Sequence, residues 1–203
     1  TGSVGVRAKI EAGSGRLSVY AGGSDDEGAA REVRLTFEEL PLDSLGIIAD
    51  YIGLPAVGVL SGTVELRYDD EGRLHGGAID LGAPQLALAQ GQIRSKTFER
   101  IGGALPIPTG TALGEFRLRA DIDGSFLTLP ELRTTGPDLI LDASGEVNLR
   151  DPLRASRVAM RIQFDLAPSW VERAEAGAAL AEAPLLRQAQ TPSGYAISLS
   201  GQL

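Results

Sequence analysis

The chain of 203 residues contains no cysteine and a single histidine. The absence of cysteine excludes disulfides, thiolate nucleophiles and zinc–thiolate sites. No apolar run reaches the roughly 18 residues that a transmembrane helix needs, so these residues contain no such helix. The sequence also lacks a basic stripe, and its net charge of −8 opposes the phosphate contacts on which nucleic-acid binding depends. We therefore expect no nucleic-acid partner.

Motifs for catalysis and for metal binding are missing too. His75 follows a turn in GRLHGG, and no nucleophile or orienting acid is suggested near it, so we interpret it as a surface residue. The acidic turns at 69–72 and 121–124 lack the full spacing of a calcium-binding loop. The glycine-rich segment GSGRLSVYAGG lacks the ending of a phosphate-binding loop. We predict no catalytic residue, no metal and no cofactor, and hence that the protein is not an enzyme.

What the sequence does contain is strict alternation of apolar and polar residues. The pattern recurs in SVGVRAKIE, EVRLTFEE, TVELRY, EFRLRADI, RVAMRIQFDL and YAISLSG. Because successive side chains of a strand point to opposite faces, each segment predicts a strand with one buried and one wet face. A parallel α/β sheet would show continuous apolar strands instead. The patterns predict a mainly β fold, an antiparallel meander of about nine to eleven strands.

Two internal repeats organise part of the chain, at residues 62–91 and 114–145. They align on Gly62 and Gly114, and in each copy an acidic turn ends in a second glycine ten residues later. In each copy a Gly/Pro segment follows, GAPQ and GPDL respectively, and both segments predict the end of a strand. Each unit therefore contains about three strands. Since one unit cannot bury its apolar face alone, we expect the copies to stack into a single elongated β-rich domain over residues 1–203.

Two segments depart from the alternation and predict short helices, at 41–54 and at 168–184. The first has apolar residues at helical spacing, and the second is rich in alanine and is expected to stop at Pro184. Trp170, at the start of the second helix, is predicted to pack that helix against the sheet. The segment 97–103 predicts one further helical turn.

A twisted sheet with one apolar face must close on itself, pack against another layer or be covered by helices. Two short helices cover little, so we predict a curved sheet, a half-barrel or trough that the helices partly plug. A trough that is incompletely filled leaves a hydrophobic groove for an acyl chain or a partner's strand. The alternative is that the same side chains are simply core. The candidate lining residues are Val64, Leu66, Phe116, Leu118, Val158, Met160, Ile162 and Phe164.

Three longer segments suggest a family. LPLDSLGIIADYIGLPAVGVLSGTVEL, GPDLILDASGEVNLRDPLRASRVAMRIQFDL and TPSGYAISLSGQL together resemble the periplasmic region of protein N of bacterial type II secretion systems, in its deltaproteobacterial form. The likeness covers most of residues 35–203 and consists of strand, glycine and corner patterns. The strand-and-glycine pattern is also similar to AsmA-type proteins, which form hydrophobic grooves between bacterial membranes.

The resemblance implies a location and a role. Proteins of this kind lie in the periplasm, anchored to the inner membrane by an N-terminal helix that these residues do not include. They are accessory parts of the secretion apparatus and have no catalytic motif to transfer. The expected function is therefore structural, through contacts with other secretion-system proteins. The alternative is an AsmA-like module that binds lipid or another apolar ligand.

Overall fold

The computed structural model describes residues 3–24, 31–45, 56–93, 105–108, 110–150, 155–173 and 184–202. Within these ranges the chain forms one open, curved antiparallel sheet of 12 strands that does not close into a barrel. The prediction of a mainly β, curved antiparallel meander with two short helices is confirmed.

Ten strands of nine residues or more form the body of the sheet. They are β1 (Ser3–Ala12), β2 (Gly15–Ser24), β3 (Arg31–Pro41), β5 (Val59–Tyr68), β6 (Leu74–Leu88), β9 (Thr111–Asp123), β10 (Phe126–Thr135), β11 (Leu139–Asn148), β12 (Arg157–Leu166) and β14 (Gly194–Gln202). The short strands are β4 (Ala56–Val57), β7 (Gly91–Ile93), β8 (Leu105–Ile107) and β13 (Gln190–Thr191). The prediction of about nine to eleven strands does not include strands of two or three residues, because such strands are too short to show alternation.

The order of strands in the sheet is β1-β2-β3-β5-β6-β9-β10-β11-β12-β14-β13. The short β4 pairs with the end of β6, while β7 and β8 form a separate two-stranded sheet. Each long strand pairs with the next long strand along the chain, so the body of the sheet is a simple meander. Among the described residues, β1 and β14 are its outermost long strands.

The structure describes three helical segments. They are a 3-10 helix (Leu42–Leu45), α1 (Pro168–Arg173) and α2 (Pro184–Ala189). The predicted helices at 41–54 and 168–184 extend into 46–55 and 174–183, which lie outside the described residues, as does 97–103. Pro184, which is predicted to stop the second helix, is the first residue of α2. Proline is favoured at the first helical position because its missing N–H has no partner there.

The two repeats share a hairpin but not a third strand. Gly72 lies in the turn between β5 and β6, and Gly124 lies in the equivalent turn between β9 and β10. GPDL separates β10 from β11, as predicted. The same prediction for GAPQ is wrong, because β6 continues through residues 82–85 with a bulge between Ala83 and Leu86 in its pairing with β9. A bulge interrupts the ladder, and proline is accommodated there for that reason.

Candidate functional site

The side chains that alternate inward along the long strands share one surface, which we name the apolar face. Directly opposite residues of neighbouring strands lie on the same side of a sheet, so the pairing register traces rows across it. Two rows cross all ten long strands without a break. The Val6 row is Val6, Ala21, Val33, Leu66, Gly77, Ile122, Leu127, Val147, Val158 and Gly201. The Ile10 row is Ile10, Leu17, Phe37, Gly62, Leu81, Leu118, Leu132, Ala143, Ile162 and Ile197.

All eight predicted lining residues lie on the apolar face. Leu66 and Val158 belong to the Val6 row, and Leu118 and Ile162 belong to the Ile10 row. Val64 and Met160 lie between these rows, while Phe116 and Phe164 lie beyond the Ile10 row. The eight residues are not gathered into one pocket. The strand β6 lies between Val64 and Leu66 on β5 and the two residues on β9, and the strands β10 and β11 lie between β9 and the four residues on β12. That they line a binding groove stays a prediction.

The apolar face is only half covered. All eight predicted lining residues are half-buried. The pattern is sharpest in β12, where every residue on the apolar face is half-buried and every residue between them is exposed. At the end of this strand, Phe164 stacks on Tyr195 of β14, with ring centroids 5.1 Å apart. The described side chains therefore leave apolar surface accessible along β12.

One end of the apolar face is capped by a compact cluster. Its fully buried members come from the strand ends and connections at this end of the sheet. They are Leu42, Ala56, Leu60, Leu88, Ile107, Leu113 and Trp170. Phe37, Leu81 and Phe116 of the apolar face pack against this cluster. The apolar face is therefore covered at this end by the buried cluster, which we name the cap.

Two polar side-chain contacts hold α1 in the cap, one buried and one part-buried. Trp170, which is 2% exposed, donates from Nε1 to Oγ1 of Thr111 over 2.9 Å. Asp138, also buried, accepts from the backbone N of Ala112 at 2.8 Å and from Nη2 of Arg173 at 2.6 Å. The prediction that Trp170 packs its helix against the sheet is confirmed. The sequence reasoning missed Thr111 and Asp138, and the only available signal was an acid between the Gly-Pro turn and an apolar strand.

The opposite surface, the polar face, carries cross-strand ion pairs. They are Arg16–Glu38 at 3.1 Å, Arg34–Glu65 at 3.0 Å and Asp80–Arg119 at 3.6 Å, each between directly opposite residues. All of these side chains are exposed to solvent, so each pair contributes little to stability, about 0–1 kcal/mol. Their exposure identifies this face as the solvated side of the sheet.

The remaining sequence candidates are structural. His75 is exposed near the start of β6, and its carbonyl oxygen accepts from the backbone N of Gly124 at 2.8 Å. Oδ1 of Asp69 accepts from the backbone N atoms of Glu71 and Arg73, at 3.0 and 2.8 Å, which accounts for an acid in this turn. Within the described residues, no group of three or more His, Cys, Asp or Glu could hold a metal ion. No described helix is long and apolar enough to cross a membrane.

Comparisons with protein-family models, with curated proteins and with solved structures found no match to this chain. The resemblance to secretion-system protein N and to AsmA-type proteins therefore stays a prediction.

Proposed function

We propose that this protein is a non-catalytic module that holds an apolar ligand, such as the acyl chain of a lipid, against the apolar face of its sheet. The observation that carries the proposal is the continuity of the Val6 and Ile10 rows across all ten long strands, together with the half-buried state of the predicted lining residues. If these side chains were only core, a second layer would bury them, whereas the eight predicted lining residues are half-buried.

The dimensions of the apolar face suit a long, thin ligand. Neighbouring strands lie about 4.8 Å apart, so nine gaps between ten strands give rows of about 43 Å. Covering apolar surface stabilises a complex by about 2.5 kcal/mol for each 100 Å² removed from water. A flexible hydrocarbon that follows a row covers such surface without needing polar partners, and the apolar face offers it few polar groups.

The cap supports an orientation for the ligand. Phe37 and Phe116 already pack against the buried cluster around Trp170, so that end of the apolar face is filled. Away from the cap, β12 presents the half-buried Val158 and Met160. At the β1 end of the rows, Val6 is 68% exposed and Ile10 is 54% exposed. We infer that the hydrocarbon follows the open part of the face and that a polar headgroup stays at the solvent-exposed margin.

A substitution pair on adjacent residues of β12 tests the proposal. Ile162 lies on the apolar face and Gln163 is exposed on the polar face. Ile162→Lys places a charge in the Ile10 row, whereas Gln163→Lys adds the same charge to the wet side. We expect the first variant to weaken binding of a dansyl-labelled fatty acid at least tenfold and the second to leave binding unchanged, with circular dichroism confirming that both are folded. Equal binding by both variants, or no binding by the unmodified protein, would refute the proposal.

A second candidate is an accessory role in type II secretion, in the periplasm and with an inner-membrane anchor. It draws on the sequence resemblance, and one structural observation favours it. On the outer sides of β1 and β14 no long strand of the described sheet pairs, and such edges can pair with a partner's strand. Native mass spectrometry of protein purified from a cell that carries the apparatus distinguishes the two. A retained lipid supports the first function, and a ligand-free complex with another secretion-system protein supports the second.

A further inference from the structure

The last strand of the sheet, β14, has an open edge. One side of β14 pairs with β12 over eight residues, from Tyr195 to Gln202. On its other side, the two-residue β13 pairs only with Gly194 and Tyr195. The helix α2, which leads into β13, contacts β14. No described strand pairs with 196–202 on this side, so this edge is in position to accept another strand.

Charge sets β14 apart from the other long strands. Its sequence, GYAISLSGQ, contains no Asp, Glu, Lys or Arg, whereas each of the other nine long strands contains at least one of these residues. Proteins commonly protect an outer strand against pairing with charged side chains. The opposite outer strand, β1, has this protection in Arg7, Lys9 and Glu11. Its counterpart β14 has none.

The side chains of β14 also end the apolar face abruptly. Ile197 terminates the Ile10 row, and Leu199, which pairs with Met160, is 38% exposed. On the polar face, Ser198 and Ser200 lie opposite Arg161 and Ala159 of β12. A strand added beside β14 would therefore meet apolar side chains on one face and small neutral ones on the other.

We propose that the open edge of β14 pairs with β14 of a second copy of this chain, antiparallel, about a two-fold axis at Leu199. In this register Leu199 faces Leu199 of the second copy, Ser198 faces Ser200, Ile197 faces Gly201 and Ala196 faces Gln202. Leu199 is the midpoint of 196–202, so all seven residues find partners and both copies stop short of β13. The apolar faces of the two copies then lie on one side of a continuous sheet of twenty long strands.

The charges of the two outer strands favour pairing between two β14 strands over pairing between two β1 strands. An antiparallel pair of β1 strands centred on Ala8 would place Arg7 opposite Lys9 of the second copy, and like charges directly opposite each other are destabilising. Pairing of β14 with itself brings no charges together. Because this interface is isologous, it closes at two copies and leaves no free β14 edge for further growth. The inference does not depend on the ligand proposed for the apolar face.

Two double variants that share one substitution test the register. In Ser198→Glu/Ser200→Glu, each glutamate faces a glutamate of the second copy. In Ser198→Glu/Ser200→Lys, each glutamate faces a lysine. Both variants carry the Ser198→Glu change opposite Arg161 within the same copy, so their folds are matched. We expect light scattering after size exclusion to give twice 21.2 kDa for the unmodified chain. We expect the mass of a single copy for the first variant, and the dimer again for the second.

The outcomes that overturn the proposal are distinct. A monomer for the unmodified chain overturns it, as do species larger than two copies. Retention of the dimer by both double variants places the interface elsewhere, and loss of the dimer in both excludes the register centred on Leu199. Ser14→Glu, in the exposed β1–β2 turn, is the control for added charge and should leave the dimer intact.

Disulfide formation gives a second test that does not depend on the charged variants. Since the chain contains no cysteine, one introduced thiol can react only with that of a second copy. Directly opposite residues of an antiparallel pair have Cα atoms about 4.5–5.5 Å apart, within the range that a disulfide spans. We expect mild oxidation to cross-link Leu199→Cys at least tenfold faster than Ala8→Cys on β1. Equal rates, or a faster reaction of Ala8→Cys, would contradict the proposal.

Discussion

The indole of Trp170 and the hydroxyl of Thr111 form a buried hydrogen bond, Nε1 to Oγ1, of 2.9 Å, and each residue is 2% exposed. The same hydroxyl donates to the carbonyl oxygen of Pro108 at 2.9 Å. Thr111 begins β9, and Trp170 lies in α1, so one contact joins the start of a central strand to the helix of the cap. The cap is therefore fixed both by apolar packing and by a specific polar contact.

Substitution of Trp170 should be the most damaging single change in the cap. Trp170→Ala leaves a large cavity, and we expect the free energy of unfolding to fall by about 3–5 kcal/mol. Trp170→Phe keeps much of the packing but removes the N–H donor, with an expected loss of about 1–3 kcal/mol. Phe126→Ala is the control, because that aromatic ring is 51% exposed, and it should cost much less. Urea unfolding followed by circular dichroism measures all three, and an equal loss for Phe126→Ala would contradict this account of the cap.

Asp138 should matter more than an exposed acid that makes a similar ion pair. Asp138→Ala removes the acceptor of the Ala112 N–H and the partner of Arg173, so we expect a loss of about 1–3 kcal/mol. Glu115→Ala breaks an exposed pair with Arg117, and its effect should stay within about 0.5 kcal/mol. Thermal unfolding of the two variants is the measurement. Similar melting temperatures for both variants would show that the contacts of Asp138 do not stabilise the cap.

Gly114 is expected to reject a side chain for steric reasons. A Cβ at this position would lie 2.6 Å from the Cα of Gly136, and both Gly114 and Gly110 have a left-handed φ, 66° and 70°. A Cβ at Gly110 would meet nothing within 4 Å, so Gly110→Ala reports the backbone strain alone. Gly114→Ala should lower the melting temperature several degrees more than Gly110→Ala does. Equal decreases in melting temperature would mean that the backbone at Gly136 moves away from the new Cβ without loss of stability.

Glu39 has a left-handed backbone, with a φ of 49°, at a bulge between Phe37 and Leu40. Regular alternation would place Glu39 on the apolar face. The extra residue of the bulge instead places Leu40 in the core, directly opposite Leu60. Since glycine adopts this conformation without strain, Glu39→Gly should raise the free energy of unfolding by about 0.5–1 kcal/mol. Glu38→Gly, one residue earlier, is the control and should lower it. Destabilisation by Glu39→Gly would show that the glutamate side chain has a role of its own.

The sequence was sufficient to predict the faces of the strands but not how the strands are joined. In RVAMRIQFDL the alternation alone assigns Met160 and Ile162 to one face, because side-chain direction is a local property of a strand. The contact between Thr111 and Trp170 joins residues 59 positions apart, and no local pattern encodes it. The proline at residue 84 was misread because a bulge depends on the neighbouring strand as well as on the segment that contains it.

The candidate site was predictable in the same partial way. The eight predicted lining residues lie on one face of the sheet, as their alternation indicates, but the continuous rows emerge only from the register between strands. The open edge of β14 was not predictable, since which strand is outermost follows from the order of the whole sheet. Its lack of charge is visible in GYAISLSGQ, yet that feature gains meaning only at an edge.

The central claim is that one face of this sheet binds an apolar ligand and the other does not. The most direct measurement attaches the same environment-sensitive fluorophore to Ile162→Cys or to Gln163→Cys, the only thiol in each protein, and titrates each with fatty acid. We expect a saturable blue shift from the label at 162 and none from the label at 163, because these adjacent residues point to opposite faces. The same response from both labels, or no response from either, would contradict the account.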